Sequence, residues 1–367
     1  MSVTDASPSA ERKAPARAHF VDLLRLLMSV QMIQGHVIDA LLADAWRTGR
    51  GFEIWTWVRG LTAVGFMTAA GVSFHLSSLA RWESYRADRT ARARRVKRAG
   101  MLIAIGYLLH APAGVLSGDA ELARRAIDEA MIVDVLQCIG VTMLLLEAMC
   151  VIARRASQVV LVSGGLAAAA IGLAPLAARI ECEGSALRLV CNYVSRSGGS
   201  LFPLLPWSGF VLAGVVLGAI ALPDGARTSG TRAGVRLAMG SVAIGAASVI
   251  VDALIARPSD PLLYSASPGF SLVRLAAVAM VAAVLAIASA RVVALPRALR
   301  TIASETLFLY VSHLLALYVA GIGLARVIGP TLSLGAAITV AIVMIVACAL
   351  GALAWVHIKA RRHPSRG

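Results

Sequence analysis

The chain has 367 residues, of which 58% are hydrophobic and 15% are charged, and its mean hydropathy is +0.77. A soluble domain of this size would carry about 25% charged residues, so the composition excludes an ordinary soluble enzyme. The formal net charge of +15 could suit a nucleic-acid ligand, but the basic residues lie in short loops between apolar runs, as membrane topology requires. We therefore predict an integral membrane protein that binds the lipid bilayer and has no nucleic-acid partner.

The first 19 residues are rich in Ser, Ala and Pro and carry several charges, which predicts a disordered cytoplasmic tail over 1–19. No small-residue cleavage pattern follows a short apolar core, so we expect the first helix to remain as an anchor. Ten apolar segments then predict an all-α, polytopic transmembrane bundle over 20–357, with a basic cytoplasmic tail over 358–367. The predicted spans cover residues 20–43, 55–79, 98–116, 131–153, 158–178, 202–222, 233–256, 268–290, 302–325 and 333–357.

The loops between these segments alternate in basic charge. Loops on one side of the predicted bundle hold 23 Lys and Arg residues, and loops on the other side hold 9. Because basic loops stay in the cytoplasm, both termini are expected there. We expect the protein to lie in a bacterial inner membrane.

The first predicted span is apolar but carries a polar stripe. Arg25 and His36 are eleven positions apart, which is three helical turns plus about 20°, so they share one face about 16 Å apart along the axis. Charged groups in a membrane helix cost several kcal/mol unless they face a protein interior or a wet cavity, so the stripe predicts a functional cavity. Arg25 would then lie near the cytoplasm and His36 in the outer half of the membrane. The residues on this face are Asp22, Arg25, Ser29, His36 and Asp39.

His36 is the candidate catalytic residue, because an imidazole can both take and give a proton near neutral pH. It could act as a general base or as an acyl relay, and the alternative is a structural histidine bonded to a neighbouring helix. A carboxylate would orient its ring, and the two candidates are Asp134, at the start of the fourth span, and Asp39, one turn away. Other polar residues expected at the outer ends of the spans are Arg59, His110, Gln137, Trp207, Asp252 and Arg274.

Asp22-Leu-Leu-Arg25 followed by His36 resembles the first-helix motif of the membrane acyltransferases of the acyltransferase-three superfamily, although Leu26 stands where that family usually has glycine. Later motifs are similar to the heparan-α-glucosaminide N-acetyltransferase-like branch. These are Trp57-Val-Arg59-Gly60, Asp134-Val-Leu-Gln137-Cys-Ile-Gly140, Phe202-Pro-Leu-Leu-Pro206-Trp207 and Ser304-Glu-Thr-Leu307-Phe-Leu-Tyr310-Val-Ser-His313. The resemblance runs from about residue 20 to 320. It implies transfer of an acyl group, usually acetyl from acetyl-CoA, to a glycan or to another small-molecule hydroxyl or amine acceptor.

The resemblance also suggests a binding site for acyl-CoA. Arg95-Val-Lys-Arg98 is similar to the family's Arg-x-x-Arg, and clustered guanidinium groups suit the phosphates of CoA. Arg95, Arg98 and Arg25 are therefore the cofactor candidates, although ordinary positive-inside charge would also explain this loop. His313, near the middle of the ninth span, either lines the channel for the pantetheine arm or packs structurally.

The cysteines and the remaining polar residues limit the alternatives. Cys182 and Cys191 lie in one outer loop and could pair in an oxidising compartment. No His, Cys and carboxylate set has zinc spacing, so we expect no metal. A small-solute transporter and a non-catalytic scaffold are the rival functions, but the first would predict broken helices and internal symmetry that the sequence does not show clearly.

Overall fold

The computed structural model describes residues 18–110, 126–182, 187–255, 258–292, 294–318 and 323–362. These residues are almost entirely helical, and the isolated bridge between Leu42 and Leu332 is the β pairing found among them. The main helices are α1 (His19–Leu41), α2 (Gly49–Arg59), α3 (Leu61–Ser77), α4 (Arg89–Leu109), α5 (Val135–Ile152), α6 (Ala156–Gly172), α7 (Leu204–Ala221), α8 (Gly230–Leu254), α9 (Pro268–Ser289), α10 (Arg297–Ser304), α11 (Thr306–Tyr318) and α12 (Leu334–Arg362). Shorter helical turns occupy Asp44–Trp46, Leu79–Arg81, Trp82–Ala87, Ala174–Ala177, Arg188–Cys191, Gly225–Arg227, Pro261–Ser265 and Leu324–Val327.

The described helices confirm an all-α membrane protein. Six helical segments are long and apolar enough to cross a bilayer, namely Gly49–Ala87, Ala126–Ile152, Leu204–Ala221, Gly230–Leu254, Pro268–Ser289 and Leu334–Arg362. The bent pair α10 and α11 would add a seventh span. The other three predicted spans coincide with α1 and α4, which carry charged residues, and with α6, which has only 17 residues. The count of ten spans and the cytoplasmic termini therefore stay predictions.

Parts of several predicted segments lie outside the described residues. These parts are 1–17 and 363–367 of the two tails, 111–116 of the third span, 256 of the seventh and 319–322 of the ninth.

Helices α3 and α7 cross at two glycines. A Cβ atom on Gly71 would lie 1.9 Å from the carbonyl oxygen of Val211, and one on Gly214 would lie 2.3 Å from that of Thr68. Since any larger residue would push the backbones apart, this crossing depends on both glycines. Close packing through small residues is the usual way in which membrane helices associate, because lipid supplies no hydrophobic drive between them.

Helix α1 lies inside the bundle. Leu24, Ile33, Val37 and Leu41 are almost fully buried along its length, and the helix packs against α3, α9, α11 and α12. Its apolar positions therefore contact other helices rather than lipid alone. This placement leaves the predicted polar stripe facing the interior of the protein.

The loop after α6 is joined to the start of α5. Cys182 and Cys191 form a disulfide within this loop. Further along, the backbone N–H groups of Leu201 and Phe202 donate to the carbonyl oxygen of Val133, whose own N–H donates to Ser200 Oγ at 3.0 Å. These bonds hold the residue that precedes Asp134, and so they position the first turn of α5.

Candidate active site

One cavity of about 960 Å³ runs between α1, α3, α4, α5, α7, α9 and α11. This volume lies at the upper end of the range for small-molecule sites in proteins. Helices α1 and α3 run antiparallel, since Arg25 lies beside Ser73 and Gly35 lies beside Arg59, just before α3, so the polar lining forms two groups at opposite ends. At one end lie Arg25, Ser73, Ser77, Arg95 and Arg98, and at the other lie His36, Arg59, His110, Asp134 and Arg274.

Arg25 lines the cavity as the polar stripe predicts. Its Nη2 donates to Ser73 Oγ on α3 at 2.6 Å. The hydroxyl of Ser29, one turn later on α1, donates to the carbonyl oxygen of Arg25 at 2.8 Å. The bond to Ser73 holds the guanidinium group at the end of the cavity that faces the basic loops.

Arg95 is held at the same end by two neighbours, Ser77 and Tyr85. Its Nη2 donates to the carbonyl oxygen of Ser77 at 2.8 Å, and its guanidinium carbon lies 4.9 Å from the centre of the Tyr85 ring. The hydroxyl of Tyr85 in turn donates to the buried carboxylate of Glu147. The structure thus brings Arg95 and Arg98 to the cavity beside Arg25. No sequence motif indicated that Tyr85 packs on Arg95 or that Glu147 bonds to Tyr85.

The helix that carries these arginines begins at an acidic cap. The carboxylate of Asp88 accepts hydrogen bonds from the Thr90 hydroxyl and the Ala91 N–H, and these bonds lower the pKa of Asp88. A carboxylate at this position favours the helix because it satisfies free N–H groups and opposes the positive end of the helix dipole.

His36 lies at the opposite end of the cavity and is partly exposed to it. Its ring centre is 5.1 Å from that of His313 and 6.1 Å from that of Tyr318, both on α11. The Tyr318 hydroxyl also donates to the carbonyl oxygen of His36 at 3.4 Å. The nearest rings to the candidate catalytic residue therefore come from the last quarter of the chain.

Asp39 is paired with Arg59. The two side chains form an ion pair between α1 and α2, and the Asp39 carbonyl oxygen accepts a hydrogen bond of 2.8 Å from Arg47. Among the described residues that line the cavity, Arg59 is present and Asp39 is not. This carboxylate is therefore directed toward an arginine, one helical turn from the histidine it was expected to orient.

Asp134 caps the N-terminus of α5. Its carboxylate accepts from the Val135 N–H at 2.6 Å and forms a capping box with Gln137. The hydroxyl of Tyr310 donates to Asp134 Oδ2 at 2.8 Å, and Nε2 of His110 lies 4.0 Å from the same oxygen. Asp134 lines the same cavity as His36, but its side-chain contacts are with Tyr310 and His110.

His313 is fully buried, with 0% of its surface exposed. Its Nδ1 lies 2.7 Å from the carbonyl oxygen of Leu309, and its ring packs edge-on against Tyr310. Of the α11 residues near it, Tyr310, Leu314 and Tyr318 line the cavity, whereas His313 packs behind His36. This placement corresponds to the second of the two expectations for His313, that of a packed residue.

Sequence motifs did not predict the contacts that Tyr310 and Arg274 make at the site. Tyr310 lies in a quoted motif, but nothing in the sequence linked it to Asp134. Arg274 on α9 lines the cavity, donates to the carbonyl oxygen of Gly60 at 3.1 Å and lies 4.0 Å from the centre of the Phe270 ring. Within the described ranges, no group of three or more His, Cys, Asp or Glu side chains is arranged to hold a metal ion.

Comparison with known families identifies one match. Residues 17–252 match the family model described as heparan-alpha-glucosaminide N-acetyltransferase, catalytic. The matched segment covers well over half of the chain and includes Arg25, His36, Arg95 and Asp134. No curated protein matches the chain. Together with the helical membrane fold, the match confirms the resemblance seen in the motifs: the chain belongs to the family of the heparan-α-glucosaminide N-acetyltransferase catalytic domain, a family of membrane acetyltransferases.

Proposed function

We propose that this protein transfers an acetyl group from acetyl-CoA to a hydroxyl or amine acceptor, with His36 as the base or acyl relay. One observation carries the proposal: one continuous cavity joins the end lined by Arg25, Arg95 and Arg98 to the end that holds His36. A donor with anionic phosphates and a long neutral arm suits a cavity in which a basic end is separated from a distant reactive group. The expected topology would put the basic mouth in the cytoplasm, where acetyl-CoA is available.

The donor would bind with its phosphates at Arg95, Arg98 and Arg25. Charge-assisted hydrogen bonds from guanidinium to phosphate oxygens are roughly twice as strong as neutral ones, and a planar guanidinium can donate two at once. Arg25 and His36 are about 16 Å apart along α1. The extended pantetheine arm would cover this distance and bring the thioester to His36.

In the direct mechanism, a ring nitrogen of His36 takes the proton from the acceptor O–H or N–H. The acceptor atom attacks the thioester carbonyl carbon, the C–S bond breaks, and the departing thiolate takes the proton back from the imidazolium. In the alternative mechanism, a ring nitrogen of His36 attacks the thioester carbonyl carbon, the C–S bond breaks, and the departing thiolate takes the proton from the other ring nitrogen. The acceptor then attacks the acyl-imidazole, the bond between the acyl carbon and the ring nitrogen breaks, and the acceptor's proton returns to the ring. Both routes use the same residues, and both remain open.

The family description names a heparan α-glucosaminide, whose reactive group is an amine. A glucosamine-terminated oligosaccharide is therefore the first acceptor to test. It would approach His36 from the outer end, where Arg59, His110 and Arg274 lie.

The test is transfer of label from acetyl-CoA to this oligosaccharide by purified protein in lipid nanodiscs. We expect labelled product from the unchanged protein and none from His36→Ala, while Arg94→Ala, which alters an exposed arginine outside the cavity, retains activity. Full turnover by His36→Ala would refute the mechanism. Solute flux in proteoliposomes without a donor, together with no transfer, would instead favour the transporter.

A further inference from the structure

A second buried histidine lies beside the proposed catalytic one, and the mechanism above does not use it. His313 has 0% exposure, and its ring centre is 5.1 Å from that of His36, with the two rings tilted by 44°. It lies outside the cavity lining, so a substrate in the cavity would contact His36 first. This position suits a residue that acts on His36 rather than on the substrate.

The hydrogen bond of His313 determines its tautomer. Nδ1 lies 2.7 Å from the Leu309 carbonyl oxygen, and a carbonyl oxygen can only accept, so Nδ1 carries the proton. In a neutral imidazole the other nitrogen is then an acceptor. That nitrogen, Nε2, is buried and has no hydrogen-bond partner within the part of the chain that the structure describes. A buried acceptor without a hydrogen bond costs free energy. A conformation in which a donor reaches Nε2 would therefore be favoured.

We propose that His313 is the positioning residue for His36. A rotation of the neutral His36 ring would let its single N–H donate to His313 Nε2, which would leave the other His36 nitrogen unprotonated and directed toward the cavity. When His36 takes up a proton, its N–H becomes a charged donor, and such hydrogen bonds are stronger. The inference rests on the proposed role of His36 as base or acyl relay.

The two carboxylates near the site are otherwise engaged. Asp39 is paired with Arg59, and Asp134 accepts hydrogen bonds from Tyr310 and from the first turn of α5. Both carboxylates are thus held by other partners, whereas His313 lies beside His36 and has an acceptor nitrogen without a hydrogen-bond partner among the described residues. Tyr310 packs edge-on against the His313 ring, with centres 5.9 Å apart, and restricts its rotation.

The test compares His313→Gln with His313→Met. The two side chains have similar length and shape, but only glutamine places an acceptor oxygen near the position of Nε2, and methionine adapts well to a buried site. The readouts are kcat and the KM for acetyl-CoA, with a glucosamine-terminated oligosaccharide as acceptor. Loss of an orienting partner typically reduces activity about 10- to 100-fold, so we expect His313→Met to lower kcat by this factor with little change in KM. His313→Gln should recover most of the loss.

His75→Met is the matched control. His75 on α3 is also buried and bonds to a carbonyl oxygen, that of Leu222, but it does not line the cavity or approach His36. Its kcat should match the unchanged protein. The inference is overturned if His313→Gln and His313→Met lose kcat equally, which would indicate packing alone, or if both retain full kcat. Full turnover by His36→Ala is a different result, because it would refute the proposed function itself.

Discussion

The hydroxyl of Tyr310 donates a hydrogen bond of 2.8 Å to the carboxylate of Asp134, although 176 positions separate the two residues. Tyr310 lies on α11 and Asp134 caps α5, so the bond joins one of the last helices of the bundle to the start of α5. Both residues line the cavity beside His36. The contact therefore links the family-matched segment, which ends at residue 252, to a helix beyond it.

Tyr310→Phe should remove this bond and leave the rest of the ring in place. Leaving a buried polar partner unsatisfied typically costs about 1–3 kcal/mol, so we expect a lower melting temperature. We also expect a lower kcat, because Tyr310 and Asp134 form the cavity wall near His36. Thermal unfolding in nanodiscs and the acetyl-transfer assay measure the two effects.

Tyr107→Phe is the matched control for that variant. The Tyr107 hydroxyl bonds to that of Tyr193 at 2.9 Å, and neither residue lines the cavity. Loss of the hydrogen bond between Tyr107 and Tyr193 should lower the stability and leave kcat unchanged. Equal losses of kcat in the two variants would show that Tyr310 has no specific role at the site.

Arg95→Ala should weaken donor binding. Hydrogen bonds to charged groups are worth about 1.5–3 kcal/mol, which corresponds to a roughly 10- to 100-fold increase in the KM for acetyl-CoA. The kcat should change little, because Arg95 lies at the other end of the cavity from His36. Arg94→Ala should leave KM unchanged, since Arg94 is 71% exposed and pairs only weakly with Asp88.

A donor that lacks the 3′-phosphate extends the Arg95 experiment. If Arg95 binds that phosphate, the unchanged protein and Arg95→Ala should have nearly the same KM for this donor. If Arg95→Ala raises the KM by the same factor for both donors, the arginine binds the pyrophosphate instead. If Arg95→Ala leaves the KM unchanged for both donors, Arg95 is not part of the binding site.

Gly71→Ala should prevent normal folding. The new Cβ would lie 1.9 Å from the Val211 carbonyl oxygen, so α3 and α7 would have to separate. Gly165→Ala on α6 is the control, because its Cβ would meet nothing within 4 Å and alanine favours a helix by about 1 kcal/mol. Size-exclusion chromatography and thermal unfolding report the difference, and a stable, monodisperse Gly71→Ala protein would contradict the crossing.

Cys182→Ser and Cys191→Ser should each destabilise the protein by the same amount, because each breaks the same bond. Disulfides typically contribute about 2–4 kcal/mol. The double variant should be no less stable than either single one, and reduction of the unchanged protein should reproduce the loss. Additive losses in the double variant would mean that the two cysteines are not paired.

The direction of the chain in the membrane can be tested by cysteine labelling. Arg50→Cys, in the first turn of α2, should react with an impermeant maleimide added outside intact vesicles of known orientation, since Arg50 is expected outside. Ser84→Cys, in the basic loop before α4, should react only after permeabilisation. Both positions are exposed, and the free native cysteines Cys138, Cys150 and Cys348 are buried. The reverse pattern would invert the proposed entry side for acetyl-CoA.

The sequence alone determined the class of the fold and the face of α1 that carries Arg25 and His36 into the cavity lining. Apolar runs and helical periodicity are local properties, so they predicted the helices and aligned Arg25 with His36 on one side of α1. The motifs led to the correct family for the same reason, since each lies within a single short stretch. Cys182 and Cys191, nine positions apart, were likewise close enough in sequence to suggest their pairing.

Only the tertiary structure decided which residues meet at the cavity. Spacing along one helix cannot show which other helix packs against it, and so the sequence offered Asp134 and Asp39 as partners for His36. The packing of α11 against α1 instead brings His313 beside His36, places Tyr310 on Asp134, and leaves Asp39 paired with Arg59. These contacts join residues far apart in the chain, and they depend on helix packing that no local pattern encodes.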